Sequence, residues 1–425
     1  MFNVYIYLFS VLFLLSGCSS SSEKEGGSVI ENNITEKTKA FFGDKSNSLV
    51  VVVDVEKMKL NEPISQVHTG HLITYTADKV IDMPKVYVVN RGDDTMDVID
   101  TDTIELTKTI NLDHHPRSAE SMNKTLGLCE VSGMDKPMAS IIDINTDEVV
   151  AVVGDDTPVD TNNNPNHGGS HATGHPFWLD ANHFVLLDRY NRKIITYYIE
   201  KVDDVWETTK LNELNTTTSI HQIIPSKGNY FGDVGIFYAT AEGSDESYPS
   251  IIELKLNAKV GLEQTRELSL EKDGVDKLDM WLHHGDFNPD GKTMYVGSGD
   301  GTMFIVDYDL MVIEKTIKAG KGAGHTMMAK QKHLAIVVNH KDSFVTIVNS
   351  LTNEKIKDIN VSEEDSTLGN TIQAHPKYHI SADGNHFYSF LTQEGALYEL
   401  NLNDLNVTRR LNFGGKPAQG CFVKY

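Results

Sequence analysis

Hydrophobic and polar residues follow one another along most of the chain in short alternating runs, separated by turn residues rather than by stretches of helical period. The clearest block runs from His284 to Ala319. Its segments GDFNPDG, KTMYVGS, GDGTMFIVDYD and LMVIEKTIKA read as four short strands, with Asn288-Pro289-Asp290-Gly291 and Gly299-Asp300-Gly301 as the tight turns between them. The layout returns after Gly324 (MMAKQKHLAIVVNH, KDSFVTIVNS, LTNEKIKDINV) and again after His375 (HISADGNHFYSF, LTQEGALYELNL, NDLNVTRRLNF). Similar units span Val86 to Leu112, Ala119 to Val153, His171 to Leu214 and Ser219 to Leu270. A repeat of about 40 to 60 residues built from four strands predicts the blades of a β-propeller.

The ends of the chain set the blade number. Ser48 to Val67 has the look of outer strands whose inner partner is missing, and Pro417 to Tyr425 supplies a strand of the right kind. Joining the C-terminal strand to an N-terminal blade removes the exposed sheet edges of an open ring. The sequence therefore predicts an all-β fold: a single β-propeller over residues 39–425, eight-bladed and closed by the C-terminal strand. Seven blades result if Ala40 to Gln66 is an extension instead.

Before the repeats, Val4 to Leu15 is almost continuously apolar, too short for a comfortable bilayer span and suited to the core of a signal peptide. Leu15-Ser16-Gly17-Cys18 resembles a bacterial lipobox, so residues 1–17 read as a lipoprotein signal peptide, Cys18 as the lipidated residue and 18–38 as a solvated tether. That places the folded part in the cell envelope facing the periplasm, touching the membrane through its lipid alone. Ser19 after the cysteine favours the outer membrane over the inner. The remaining cysteines, Cys129 and Cys421, lie in apolar runs without paired spacing and are expected as buried free thiols.

Charge narrows the partners. With 38 Lys plus Arg against 60 Asp plus Glu, the chain carries a formal charge of −22, a surface that repels nucleic acid and favours cations. No GxSxG elbow or phosphate-cradling glycine loop ahead of a helix is present in the sequence.

Histidine changes the picture more than charge does. Of 17 histidines, many fall at one phase of the repeat, where the chain leaves an outer strand and begins the next inner one. His71, His114, His171, His221, His283, His325 and His375 share that phase, and His68, His115, His175, His284 and His379 lie beside them. In a propeller this connection lies beside the central channel, so residues remote in sequence converge. Imidazole offers a neutral nitrogen lone pair, and three or four such groups meeting at one point bind zinc or copper. The candidate metal ligands are His114, His115, His171, His175, His221, His283, His284, His325 and His375. In the adjacent pairs, strand alternation predicts that only one member faces the axis. His183, His333 and His386 read as blade-surface residues, and the polar loop Asp155 to Gly174 as a solvated insertion or a cover for the metal.

Several stretches carry a resemblance. Ala40-Phe41-Phe42-Gly43-Asp44 with Leu49 to Glu56, His175-Pro176-Phe177 with His183 to Arg189, and His283-His284-Gly285 are similar to the AztD family of periplasmic zinc metallochaperones. That resemblance implies a propeller that binds zinc without turnover and passes it to the solute-binding protein of a metal ABC importer. His114-His115-Pro116 resembles a segment of the nitrous oxide reductase propeller, which implies copper and redox chemistry as the alternative; the electron-entry copper domain of that family has no counterpart in this sequence. A third alternative is a protein-interaction scaffold in which the histidines are incidental.

Overall fold

Tight turns punctuate the blades. In Asp100-Thr101-Asp102-Thr103-Ile104 the Asp100 carboxylate accepts the backbone N–H groups of Asp102 (2.9 Å) and Thr103 (2.8 Å), and the Ile104 N–H returns to the Asp100 carbonyl (2.9 Å). Ile104 closes the turn at a φ of 61°. Asn349 to Asn353 and Asn401 to Leu405 repeat this arrangement. A short polar side chain that caps its own turn reverses the chain within a few residues, which lets each third strand pair directly with the fourth.

The computed structural model describes residues 37–65, 74–79, 84–160, 171–224, 235–364, 366, 371–373 and 377–425. It forms eight antiparallel sheets arranged as the blades of a propeller. Blade 1 joins the inner strand Pro417–Lys424 to Thr38–Asp44, Leu49–Asp54 and the short outer strands Lys59–Leu60 and Ile64–Ser65. Blades 2 to 8 each hold four strands in chain order, innermost first. Their inner strands are Thr74–Lys79, Pro116–Asn123, Phe177–Trp178, Ile220–Ile224, Leu282–Phe287, Ala323–Ala329 and His379–Ile380.

Each blade packs face to face on the next, and this explains the composition of its middle strands. Leu49–Asp54 (LVVVVD), Lys85–Asn90 (KVYVVN) and Leu334–Asn339 (LAIVVN) are apolar on both faces because both are covered. The outer strand Val312–Lys318 (VIEKTIK) alternates instead, one face inward and one to solvent. The apolar cores accordingly lie between blades: Phe41 and Val52 against Val86 and Val88, or Ile336 and Ile347 against Phe387 and Tyr398. Full burial of each such side chain contributes about 1.5 to 3 kcal/mol.

Ring closure follows the sequence expectation of eight blades. Phe41 pairs with Cys421 and Thr38 with Lys424 across the two termini of the propeller, and the Lys416 N–H donates to Asp44 at 2.8 Å. Phe42 fixes the seam, its ring centroid 4.8 Å from Phe390, 5.7 Å from Phe413 and 5.9 Å from Phe422. Cys129 and Cys421 are buried thiols outside any disulfide, as expected, and lie in different interblade cores. Blade 2 begins one strand earlier than the sequence unit at Val86, because its inner strand TYTADK carries little apolar signal.

Candidate metal centre

Inner strands begin beside the central channel, and there the chain departs from regular pairing. The register shifts between Ile220 and Gln222, between Leu282 and Gly285, and between Ala323 and His325. These bulges span His221, His283 with His284, and Gly324 just ahead of His325. A β-bulge re-aims the side chains it carries, so the strict alternation expected of the pair His283-His284 is lifted and both rings enter the cluster. His175 joins from the connection just ahead of Phe177–Trp178.

Two groups of three imidazoles result. His175, His221 and His284 each offer one ligand nitrogen, all within 4.8 Å of one another, and His283, His325 and His340 do the same. The groups touch: His221 and His283 lie 4.2 Å apart between ring centroids, and His284 and His325 3.9 Å. Blades 4, 5, 6 and 7 thus contribute to one cluster.

Carboxylate and carbonyl partners orient several rings. His221 Nδ1 lies 2.6 Å from Glu242 Oε1, and Arg189 Nη2 donates to both oxygens of that carboxylate at 2.5 and 2.8 Å, all three residues being buried. His340 Nδ1–H donates to the Gln373 carbonyl at 2.5 Å, while the Gln373 amide donates in turn to the Asn339, Asp342 and Phe344 carbonyls. His175 Nδ1 stands 3.4 Å from Glu120 Oε2, which Lys377 Nζ approaches to 3.5 Å from blade 8. A partner on Nδ1 fixes the tautomer and leaves Nε2 as the lone-pair nitrogen.

Burial sets the charge state. It pushes His175 down to about 4, helped by the Arg117 charge and opposed by Glu120. It pushes His340 down to about 4 as well, against the Gln373 carbonyl. Both are neutral at pH 7, the form that ligates a metal. Glu242 moves upward through burial, with Arg189 opposing.

The remaining candidates lie elsewhere. His114 is buried with Nε2 3.1 Å from Ser140 Oγ and Nδ1 3.3 Å from the His115 carbonyl. His115 is half-buried and pairs through Nδ1 with the Asp94 carboxylate. His171 Nε2 lies 3.2 Å from Arg91 Nη1. None of these three belongs to either group of three among the described residues. His68, His71, His167, His375 and Cys18 lie outside the described residues. His183, expected at a blade surface, is buried with Nε2 3.0 Å from the Ala258 carbonyl.

His340 was not among the expected ligands. It follows a second strand, Leu334–Asn339, and so falls outside the phase of the inner-strand histidines. A second phase exists: the residue immediately after the second strand is Arg91 in blade 2, Arg189 in blade 4, Glu242 in blade 5 and His340 in blade 7. Gly324 makes the room, since a Cβ there would stand 2.3 Å from the His340 ring.

No known sequence family and no curated protein matches the chain. Solved structures do resemble it. The dihydro-heme d1 dehydrogenase NirN in complex with DHE has 12% identity and a TM-score of 0.65, over 90% of this chain and 74% of that one. AztD from Citrobacter koseri has 12% identity and a TM-score of 0.58, over 92% of this chain and 98% of that one. A protein from Lactobacillus plantarum has 12% identity and a TM-score of 0.54, over 91% and 99%. The AztD-type resemblance of the sequence is thus met in the propeller fold.

Proposed function

We propose that this propeller carries metal ions, zinc first, in its histidine cluster, and acts as an envelope-anchored zinc chaperone or buffer rather than as an enzyme. The observation that carries the reading is the convergence of six imidazoles from four blades into two groups of ligand spacing. Convergence of this kind does not follow from a channel mouth that merely favours polar residues. Rings whose Nδ1 atoms face Glu242, Glu120 and the Gln373 carbonyl suit a divalent cation. The AztD-like fold supports delivery to the solute-binding protein of a metal ABC importer, and the lipobox at Cys18 supports a periplasm-facing lipoprotein, in the outer rather than the inner membrane.

Zinc titration of the mature protein against a chromophoric chelator tests this. One or two ions per chain should bind, one for each group, and His221→Ala with His340→Ala should abolish both. A protein that retains no zinc after dialysis against trace metal contradicts the reading.

Copper is the second reading, because an all-imidazole donor set without thiolate suits copper as well as zinc. A redox role follows in that case. Bound copper would give visible absorption or a paramagnetic signal, and zinc gives neither.

A further inference from the structure

Strand direction gives the ring two unlike faces. Outer strands hand the chain to the next inner strand on one of them, as from Asn111 to Pro116 and from Lys318 to Ala323. His175, His221, His283, His284, His325 and His340 all lie near the strand ends on that face. The chain joins the propeller on the other. Thr38 pairs with Lys424, the last residue of the inner strand of blade 1, while Asp44 pairs with Pro417, its first. Thr38–Asp44 is a strand of 7 residues, and a strand of that length spans about 20 Å. The segment that follows Cys18 therefore enters the ring on the side away from the histidines.

The turns from third to fourth strand lie on this entry face, and their tips differ around the ring. In blades 1, 2, 3 and 8 the tips are Glu56-Lys57, Asp102-Thr103, Asn145-Thr146 and Asn403-Asp404. Blade 4 ends its hairpin on Asp203-Asp204, flanked by exposed Val202 and Val205. In blades 5, 6 and 7 the tips carry Val260, Leu310 and Leu351, exposed 47%, 69% and 67%. A single exposed aliphatic residue is ordinary, but three at one level of three successive blades make an arc. On the histidine face, no turn between second and third strands exposes a large hydrophobic side chain among the described residues, and Leu278 and Tyr378 stand apart in two connections.

We propose that the entry face of blades 5, 6 and 7 docks on the lipid bilayer through Val260, Leu310 and Leu351, in concert with the acyl chains on Cys18. This rests on the lipoprotein reading above. Blade 5 stands across a ring of eight from blade 1, so tether and tips hold the face at two separate places. Three aliphatic side chains at the headgroup boundary adhere weakly by themselves. The lipid anchor supplies the effective concentration that makes their contact count. Held this way, the histidine cluster opens away from the membrane, and metal is exchanged with a soluble protein of the periplasm rather than with a membrane-embedded one.

The test uses the acylated mature protein in vesicles of phosphatidylethanolamine and phosphatidylglycerol, after mass spectrometry has established the acyl chains on Cys18. Cys129 and Cys421 are buried, so a polarity-sensitive fluorophore goes selectively onto one new thiol: Leu310→Cys or Leu351→Cys at the tips, Thr103→Cys at the matching turn of blade 2, and Asp245→Cys on the histidine face. Quenching by spin-labelled lipid should be severalfold stronger for Leu310→Cys and Leu351→Cys than for Asp245→Cys, and weaker for Thr103→Cys than for either tip. Adding Val260→Asp and Leu351→Asp should bring the Leu310→Cys signal down to that of Asp245→Cys. Equal quenching at all four positions, or none at the tips of vesicle-bound protein, overturns the docking and leaves the lipoprotein standing. Tips shielded only when envelope proteins are added overturn it in favour of a protein partner. Cys18 without acyl chains overturns both.

Discussion

His284 and His325 stack with ring centroids 3.9 Å apart and planes inclined by 28°. They belong to different groups of three and to different blades, so their contact turns two candidate sites into one continuous cluster. Protonating both rings at this distance would set two like charges in van der Waals contact.

The Glu242 carboxylate joins the His221 ring to Arg189, which makes it the strongest lever on the first group. Glu242→Gln keeps an acceptor but loses the charge. Metal affinity at that group should fall by about 10- to 100-fold, the range found when the partner of a ligating histidine is altered. Competition titration checks this, and an unchanged affinity would show that Glu242 does not act through His221.

Gly324→Ala addresses the second group alone. The added Cβ would stand 2.3 Å from the His340 ring, so the ring must move. Metal stoichiometry should drop by the share of the second group while His221-dependent binding stays intact. Loss of both together would mean that the groups do not fill separately.

Stability of the metal-free protein should fall in acid for a stated reason. Burial holds His175 and His340 at about 4 in the fold, below the ordinary value near 6.5 of an unfolded chain. The unfolded state therefore binds more protons between these values. The stabilising contribution is complete above about pH 6.5 and is lost as pH falls towards 4. Urea unfolding at pH 7 and pH 4.5 measures it. Saturating zinc should steepen the dependence, because protons and metal compete for the same nitrogens.

Glu130 carries the opposite sign. Fully buried, with one oxygen accepting the Phe177 N–H at 3.1 Å, its carboxyl is pushed well above the usual range by burial. Its contribution is present at low pH and is lost as pH rises beyond the unfolded value near 4.3. Glu130→Gln keeps the acceptor and should flatten the fall in stability on the alkaline side. An identical pH profile in the variant would contradict this assignment.

The propeller was legible because its signals are local and repeated. Middle strands such as LAIVVN, turns such as NSLTN and the spacing of blocks all survive in a single sequence, and the missing inner strand of blade 1 could be matched to Pro417–Lys424. The site was legible in part. His175, His221, His283, His284 and His325 share a phase that the sequence exposes, and the structure brings them together. Alternation misjudged the pair His283-His284 because a bulge is one irregularity in an otherwise regular strand. His114 and His115 share the phase but meet Ser140 and Asp94 instead, partners that only the packing of blades 2 and 3 decides. His340 belonged to a second phase that becomes visible once Arg91, Arg189 and Glu242 are aligned with it.

Whether the histidine cluster is a metal centre is decided most directly by an anomalous-difference map, at the zinc edge, from crystals of the mature protein loaded with stoichiometric zinc. The expected result is a peak enclosed by His175, His221 and His284, with a second among His283, His325 and His340 as loading increases. Zinc located away from both groups, or no ordered zinc at all, would contradict the metal-carrying role.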